Sequence, residues 1–288
     1  MRRLCAVALG LGLAWGGAAQ AEPQVPRESA WAPAEGTWSV GVFNPLRWQI
    51  TSTVAVEAHP LAFLAAPHAG VDWQVARGQG LLGQDWALAA RFGLAAPAWT
   101  LRFGLPLGLK GYLGPSCQVA DTGEDRPDTC QGTGWAVAPS AGGRFTWGRD
   151  GLLTVDADVA AGIMLSGDRP APLDTYAPLE LAVAPLTHGW RAHLGLRTEH
   201  RLAPWARVAA ELDLYRVGDR SRLSPWTVSG WLGADFPLSD GFALTAGVIW
   251  FNADQGAIDL VDDGDGYVRV ARVRSNDVYP TLDALWTW

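Results

Sequence analysis

Outside its N-terminal leader this chain has no apolar run approaching the ~20 residues that a membrane-spanning helix requires. Yet 49% of its 288 residues are hydrophobic and 16 are tryptophan. A chain this apolar without a spanning helix has one membrane architecture open to it, a closed barrel of strands. Lysine is nearly missing too: Lys110 stands alone, and the formal net charge is −7. That balance excludes a nucleic-acid-binding surface. Glycine is plentiful, but it falls at neither the strict spacing of collagen nor the period of a solenoid repeat.

Cysteine is scarce, with three in all. Cys5 belongs to the leader: Met1-Arg2-Arg3 is a positive start, Leu4 to Leu13 is apolar, and Ala19-Gln20-Ala21 before Glu22 is a small-residue cleavage site. Residues 1–21 therefore read as a signal peptide and the chain as exported. Cys5 precedes most of the apolar run, so it is not an acylation site. Cys117 and Cys130 remain, and an even count in an exported chain reads as one disulfide. The bridge encloses a polar loop, Gln118 to Thr129, and is worth about 3 kcal/mol in the chain-entropy model. Metal ligation by the pair would need further Cys or nearby His, which the sequence does not supply.

Residues 22–36, rich in Pro, Ala and Glu, read as a periplasmic lead-in to a domain spanning 37–288. From Trp38 onward the apolar residues recur at period two, the signature of strands with one apolar face. Trp86, Leu88, Ala90, Phe92 and Leu94 share one face. Leu153, Val155, Ala157 and Val159 do the same against Thr154, Asp156 and Asp158. Leu179, Leu181, Val183 and Pro185 continue the alternation, followed by Ala192 to Thr198, Ala206 to Leu214, Trp226 to Phe236 and Phe242 to Trp250. Pro60 to Pro67 reads as an interfacial turn or a short helix. Charged residues keep to the face opposite the apolar stripe, and Trp or Phe recurs near strand ends. Trp231 breaks the rule by falling on the polar face.

The terminal stretch carries the clearest signal. Val278, Pro280, Leu282, Ala284, Trp286 and Trp288 share a face, and the chain stops on an aromatic residue with another two positions before it. This resembles the C-terminal strand of Gram-negative outer-membrane β-barrels, and the resemblance covers essentially the whole mature length. Phe43-Asn44-Pro45-Leu46-Arg47-Trp48, taken with Pro60 to Pro67, is similar to a stretch of uncharacterised barrel proteins of this kind. The resemblance implies a monomer in outer-membrane lipid whose C-terminal strand is read by the barrel-insertion machinery. Repeated two-faced segments of about ten residues point the same way.

The expectation is an all-β, single antiparallel transmembrane barrel of 12 strands, with 10 or 14 as alternatives. Counting back from an inward-running last strand makes Arg149 to Gly151 an extracellular turn and puts the disulfide loop in the periplasm. Barrels usually place short turns inside and long loops outside, so the count locates a miscounted hairpin in the first half.

The face opposite the lipid stripe nominates Arg91, Arg144, Asp156, Asp158, Arg191, His193, Arg197, Glu199, Arg207, Glu211, Asp213 and Asp235 as lumen-facing. Five arginines stand against six carboxylates, a balance that favours pairing across a narrow interior over selection of one ion sign. Asp156 and Asp158 are expected to pair with arginines such as Arg144 or Arg191. No serine is placed beside His193 and Glu199 by sequence, so no nucleophilic triad emerges and the chain reads as non-enzymatic, without a cofactor. Asp259, Asp262, Asp263 and Asp265 form a weak Ca²⁺ candidate that lacks the spacing and terminal Glu of an EF-hand; a solvated acidic loop is the plainer reading. Function is expected to be passive or facilitated passage of small solutes. The alternative is a closed structural or surface-interaction barrel.

Overall fold

Alternation of apolar and polar residues over strands of this length gives a two-faced sheet whose edges must be paired. In the computed structural model the sheet closes on itself. The structure describes residues 29–42, 44–58, 67–80, 83–96, 135–148, 151–167, 169, 177–218, 224–262 and 268–288, with backbone alone at 151, 177–180, 255–262 and 268–273. Its strands are β1 (Trp38–Gly41), β2 (Leu46–Gln49), β3 (Val54–Ala58), β4 (His68–Gln79), β5 (Asp85–Ala95), β6 (Ala136–Trp147), β7 (Gly151–Ala161), β8 (Ile163–Met164), β9 (Trp190–Ala203), β10 (Ala206–Val217), β11 (Trp226–Ser239), β12 (Phe242–Asp262) and β13 (Val268–Thr287). One helix, α1 (Ala177–Thr187), precedes β9. Every strand pairing is antiparallel. β1 meets β13 through Val40 opposite Trp286, which closes a ring of twelve, while the two-residue β8 lies outside the ring against the start of β6.

The exterior is apolar. Leu282 and Leu232 are 66% exposed and Leu212 is 54% exposed, while Ser229 and Asp213, on neighbouring strands but facing inward, are at 1% and 5%. An apolar surface of this extent is not stable in water, and it matches a hydrocarbon environment. Aromatic residues mark its two borders. Trp48, Trp147, Trp286 and Trp288 lie at the rim that carries both chain ends, with Trp38 stacked on Trp48 at 4.8 Å; Trp135 and Trp226 lie at the opposite rim. These are the girdles expected where strands cross the two interfaces.

The wall is shortest at β1, β2 and β3, with 4, 4 and 5 residues. Asp283, 8% exposed, ties the β1–β2 turn to the last strand. It accepts from Val42 N at 2.8 Å, from Ala284 N at 2.9 Å and from the Asn44 side chain. Part of the Phe43-to-Trp48 stretch thus forms the seam at which the barrel closes.

Leu179 to Pro185 corrects the sequence reading. The segment is the helix α1, not a strand, and Leu181, Val183, Ala184 and Leu186 are all buried. A helix that is apolar all round shows no helical period and reads equally well as alternation. Counting it as a strand inverted the sense of everything before it. With that segment removed, the short connections between β4 and β5, β6 and β7, β9 and β10, and β11 and β12 all join strand ends at the rim where β1 begins and β13 finishes, which makes that rim periplasmic. Gly148 and Gly151, which flank the turn read from sequence as extracellular, therefore lie at the periplasmic rim. Ala96 and Trp135, from which the connection carrying Cys117 and Cys130 departs, lie at the outer rim. Both cysteines, residues 1–28 and 59–66, and Asp263 and Asp265 lie outside the described residues; Asp259 and Asp262 are described as backbone only.

Candidate functional site: a lumen closed by charge and chain

The inward faces are set by register, and register brings together charges that are far apart in sequence. Arg47 stands opposite Glu57, and Asp72 opposite Arg91. These four form a ring of ion pairs: Arg91 Nε to Asp72 Oδ1 at 3.0 Å, Arg47 to Asp72 at 3.6 Å, and both arginines to Glu57 at 3.7 Å. Of the four, the sequence reading nominated only Arg91. Arg47 and Glu57 lie on strands of 4 and 5 residues, too few repeats to assign a lumen face, whereas Asp72 lies on the twelve-residue β4, where its alternation with Val71 and Trp73 carried the signal.

Further round the wall, Arg197 bridges Glu199 at 2.7 Å and Glu211 at 2.8 Å, and Arg207 lies 3.6 Å from Glu199. Trp231, the aromatic on the polar face, belongs to this group. Its guanidinium neighbour Arg197 lies 5.3 Å from the ring centroid, and its Nε1 donates to Thr281 Oγ1 at 2.9 Å. The indole lies where a Cβ on Gly233 would come within 2.3 Å of it, so glycine keeps that space open. Asp235 accepts from Thr245 Oγ1 at 2.5 Å.

The third group centres on His193. Its Nδ1 lies 2.9 Å from Asp158 Oδ2 and 3.3 Å from Asp156 Oδ2, and its Nε2 lies 2.9 Å from Asp213 Oδ1. Tyr215 stacks on the imidazole at 4.6 Å. Asp213 also accepts from Ser229 Oγ at 3.0 Å. Arg191 reaches Asp158 at 3.4 Å and donates to Leu181 O of α1 at 3.0 Å. That second bond has a local cause. Pro185 has no N–H to give the carbonyl four residues back, and Arg191 supplies the donor. Arg144 lies opposite Asp156 in register and donates to Ser29 O at 3.4 Å.

Both ends of the lumen hold chain. At the outer end α1 packs Leu181 and Ala184 against Val217, Phe251 and Ala253. Arg169 donates to Pro185 O and Leu186 O at 2.8 Å and to Gly162 O at 2.7 Å, fastening the end of the helix to the wall. A Cβ at Gly162 would lie 1.8 Å from Pro185 O, so this approach requires glycine. At the periplasmic end, Ser29, Ala30 and Trp31 thread inside the barrel, at 2%, 3% and 9% exposure. These residues belong to the stretch 22–36 read from sequence as a periplasmic lead-in, and they lie against the inner wall at the periplasmic end. Ala30 N donates to Thr146 Oγ1 at 2.8 Å, Gln74 Nε2 donates to Ala30 O at 3.1 Å, and Trp31 Nε1 donates to Gly148 O at 3.1 Å. Ala87, Ala89 and Leu152 pack around the indole. A Pro/Ala-rich lead-in without alternation carries no sequence signal for such an insertion.

Chemically, the arrangement neutralises charge across the interior. Ser229 does reach the His193 group, but Asp213 stands between hydroxyl and imidazole. The ring is thus not placed to take the serine proton, as a nucleophilic triad requires.

No family of known proteins and no curated protein matches this sequence. Among solved structures the chain is similar to outer-membrane expressed OmpT of Vibrio cholerae, at 9% identity and a TM-score of 0.43, covering 85% of this chain and 64% of that one. It is also similar to OccK11 (OpdR) of Pseudomonas aeruginosa, at 10% identity and a TM-score of 0.39, covering 91% of this chain and 60% of that one. The chain thus spans less than two thirds of the length of either. The closure and the two faces of the sheet carry the assignment without these likenesses: the chain is an outer-membrane β-barrel.

Proposed function

We propose that this barrel is closed in its resting form and acts as an outer-membrane anchor that presents a surface to the exterior. The observation that carries this reading is the double occlusion of the lumen, by Ser29 to Trp31 at one end and α1 at the other, with paired charges between them. The surface offered is the β12–β13 hairpin. β11 pairs no further up β12 than Asn252, whereas β12 runs on to Asp262 and is paired with β13 up to Val268. Some ten residues of strand at ~3.4 Å each would raise this hairpin about 30 Å beyond its neighbour along the strand direction. The ring is complete within one chain, which supports a monomer, and the aromatic Trp286 and Trp288 of the terminal strand support its reading by the insertion machinery. The reading includes no catalytic role.

Passage of small solutes is the second reading. The stopper Ser29 to Trp31 favours it, since hydrogen bonds and one indole hold it to the wall. Single-channel recording on the refolded full chain in planar bilayers separates the two. No steady conductance is expected, and a large, stable wild-type conductance would overturn the closed reading.

A further inference from the structure

We propose that Asp156, Asp158 and His193 form a binding site for one divalent transition-metal ion of the zinc class. One ligand atom from each converges, all three lying within 4.8 Å of one another. His193 Nδ1 is 2.9 Å from Asp158 Oδ2 and 3.3 Å from Asp156 Oδ2. A tetrahedral ion held at ~2.0–2.2 Å by imidazole and carboxylate sets its ligand atoms about 3.4 Å apart. The imidazole Nδ1 already stands within about half an ångström of that spacing from each carboxylate, at 2.9 and 3.3 Å.

A group outside the ligand triad prepares the histidine for this role. Nε2 lies 2.9 Å from Asp213 Oδ1, and Asp213 is in turn held by Ser229 at 3.0 Å. A carboxylate on the far nitrogen is the usual partner of a metal-bound histidine, because it fixes the tautomer that presents the other nitrogen to the ion. Tyr215 holds the ring plane by stacking. The wall also leaves room where the carboxylates meet. Gly195 lies opposite both Asp156 and Asp213, and a Cβ there would lie 2.4 Å from Asp156 Oδ1 and 3.0 Å from Asp213 Oδ1.

One imidazole with two carboxylates suits zinc-class ions, while Ca²⁺ and Mg²⁺ take six or more oxygens. The side chains of His193, Asp156 and Asp158 keep 10%, 16% and 21% of their surface open within the lumen, which leaves space beside them for an ion. Three protein ligands leave a fourth position for water or an anion.

The test is calorimetric titration of Zn²⁺ into chelator-treated full-length barrel in detergent micelles. One ion per chain is expected. Asp158→Asn and His193→Gln should weaken binding by at least a hundredfold, and Asp213→Asn by about 10–100-fold, as removal of an orienting group does. His200→Ala, at an exposed position, should change nothing. Should the first two variants fail to fold, Cu²⁺ bound to the wild type answers alone, because its electron paramagnetic resonance spectrum should show coupling to one imidazole nitrogen. Binding that survives His193→Gln, binding that disappears with His200→Ala, or a copper spectrum without nitrogen coupling would each overturn the site.

Discussion

The bond from Arg191 to Leu181 O tests whether α1 is a built part of the barrel or a loosely lodged segment. Leu181 is 7% exposed, its carbonyl lacks the helical donor that Pro185 cannot provide, and Arg191 Nη1 fills the place at 3.0 Å. Arg191→Met removes that donor and leaves a buried carbonyl unpaired, at a cost of about 1–3 kcal/mol. It also removes the 3.4 Å ion pair with Asp158, which is partly open to water and adds roughly 0–1 kcal/mol. Pro185→Ala supplies an N–H to the same carbonyl from within the helix, and the loss of ring packing there works against it. One carbonyl needs one donor, so the two changes should be coupled. Pro185→Ala should stabilise the Arg191→Met protein by about 1 kcal/mol more than it stabilises the wild type. The measurement is a double-mutant cycle from reversible urea unfolding in lipid vesicles, with hydrogen exchange at the α1 amides as the local readout. Independent sites add to within about 0.5 kcal/mol. A cycle that closes inside that margin refutes the account of the donor.

Two further predictions concern the wall. Leu212 lies mid-strand, 54% exposed and facing outward; Leu212→Arg should cost about 2–4 kcal/mol of unfolding free energy in vesicles and Leu212→Ala much less. Equal costs for the two would mean that this face does not meet lipid. Asp283→Ala removes the acceptor that the Ala284 amide and the Asn44 side chain share at the closing seam and leaves the Val42 amide only the longer bond to Ala284 O, at 3.3 Å. With hydrogen bonds to a charged group worth ~1.5–3 kcal/mol, the variant should lose at least that much and show faster exchange at Val42, and unchanged exchange there would count against the seam.

Much of this architecture was legible from the chain alone because a strand writes its faces at period two. Val155 and Val159 against Asp156 and Asp158 define an outside and an inside whatever the neighbours are, and the terminal Trp286 and Trp288 mark a border. That alternation sufficed for the barrel and set the charged residues apart from the apolar stripe. It could not distinguish Leu179 to Pro185 as a helix, because Leu181 to Leu186 are apolar without interruption and leave no polar stripe to reveal a helical period. One such segment reversed the inferred sidedness of every earlier loop. Nor could it say which inward charges meet. His193 reaches Asp158 and Asp213 only because β9 lies between β7 and β10 in one register, and a shift of a single residue would have turned the imidazole to the lipid. The lumen's closure by Ser29 to Trp31 rests on contacts far apart in sequence, as between Ala30 and Gln74, 44 residues apart, and between Ala30 and Thr146, 116 apart. Periodicity records what each residue faces, whereas the contents of the lumen depend on ring closure, stagger and the insertion of segments with no period of their own.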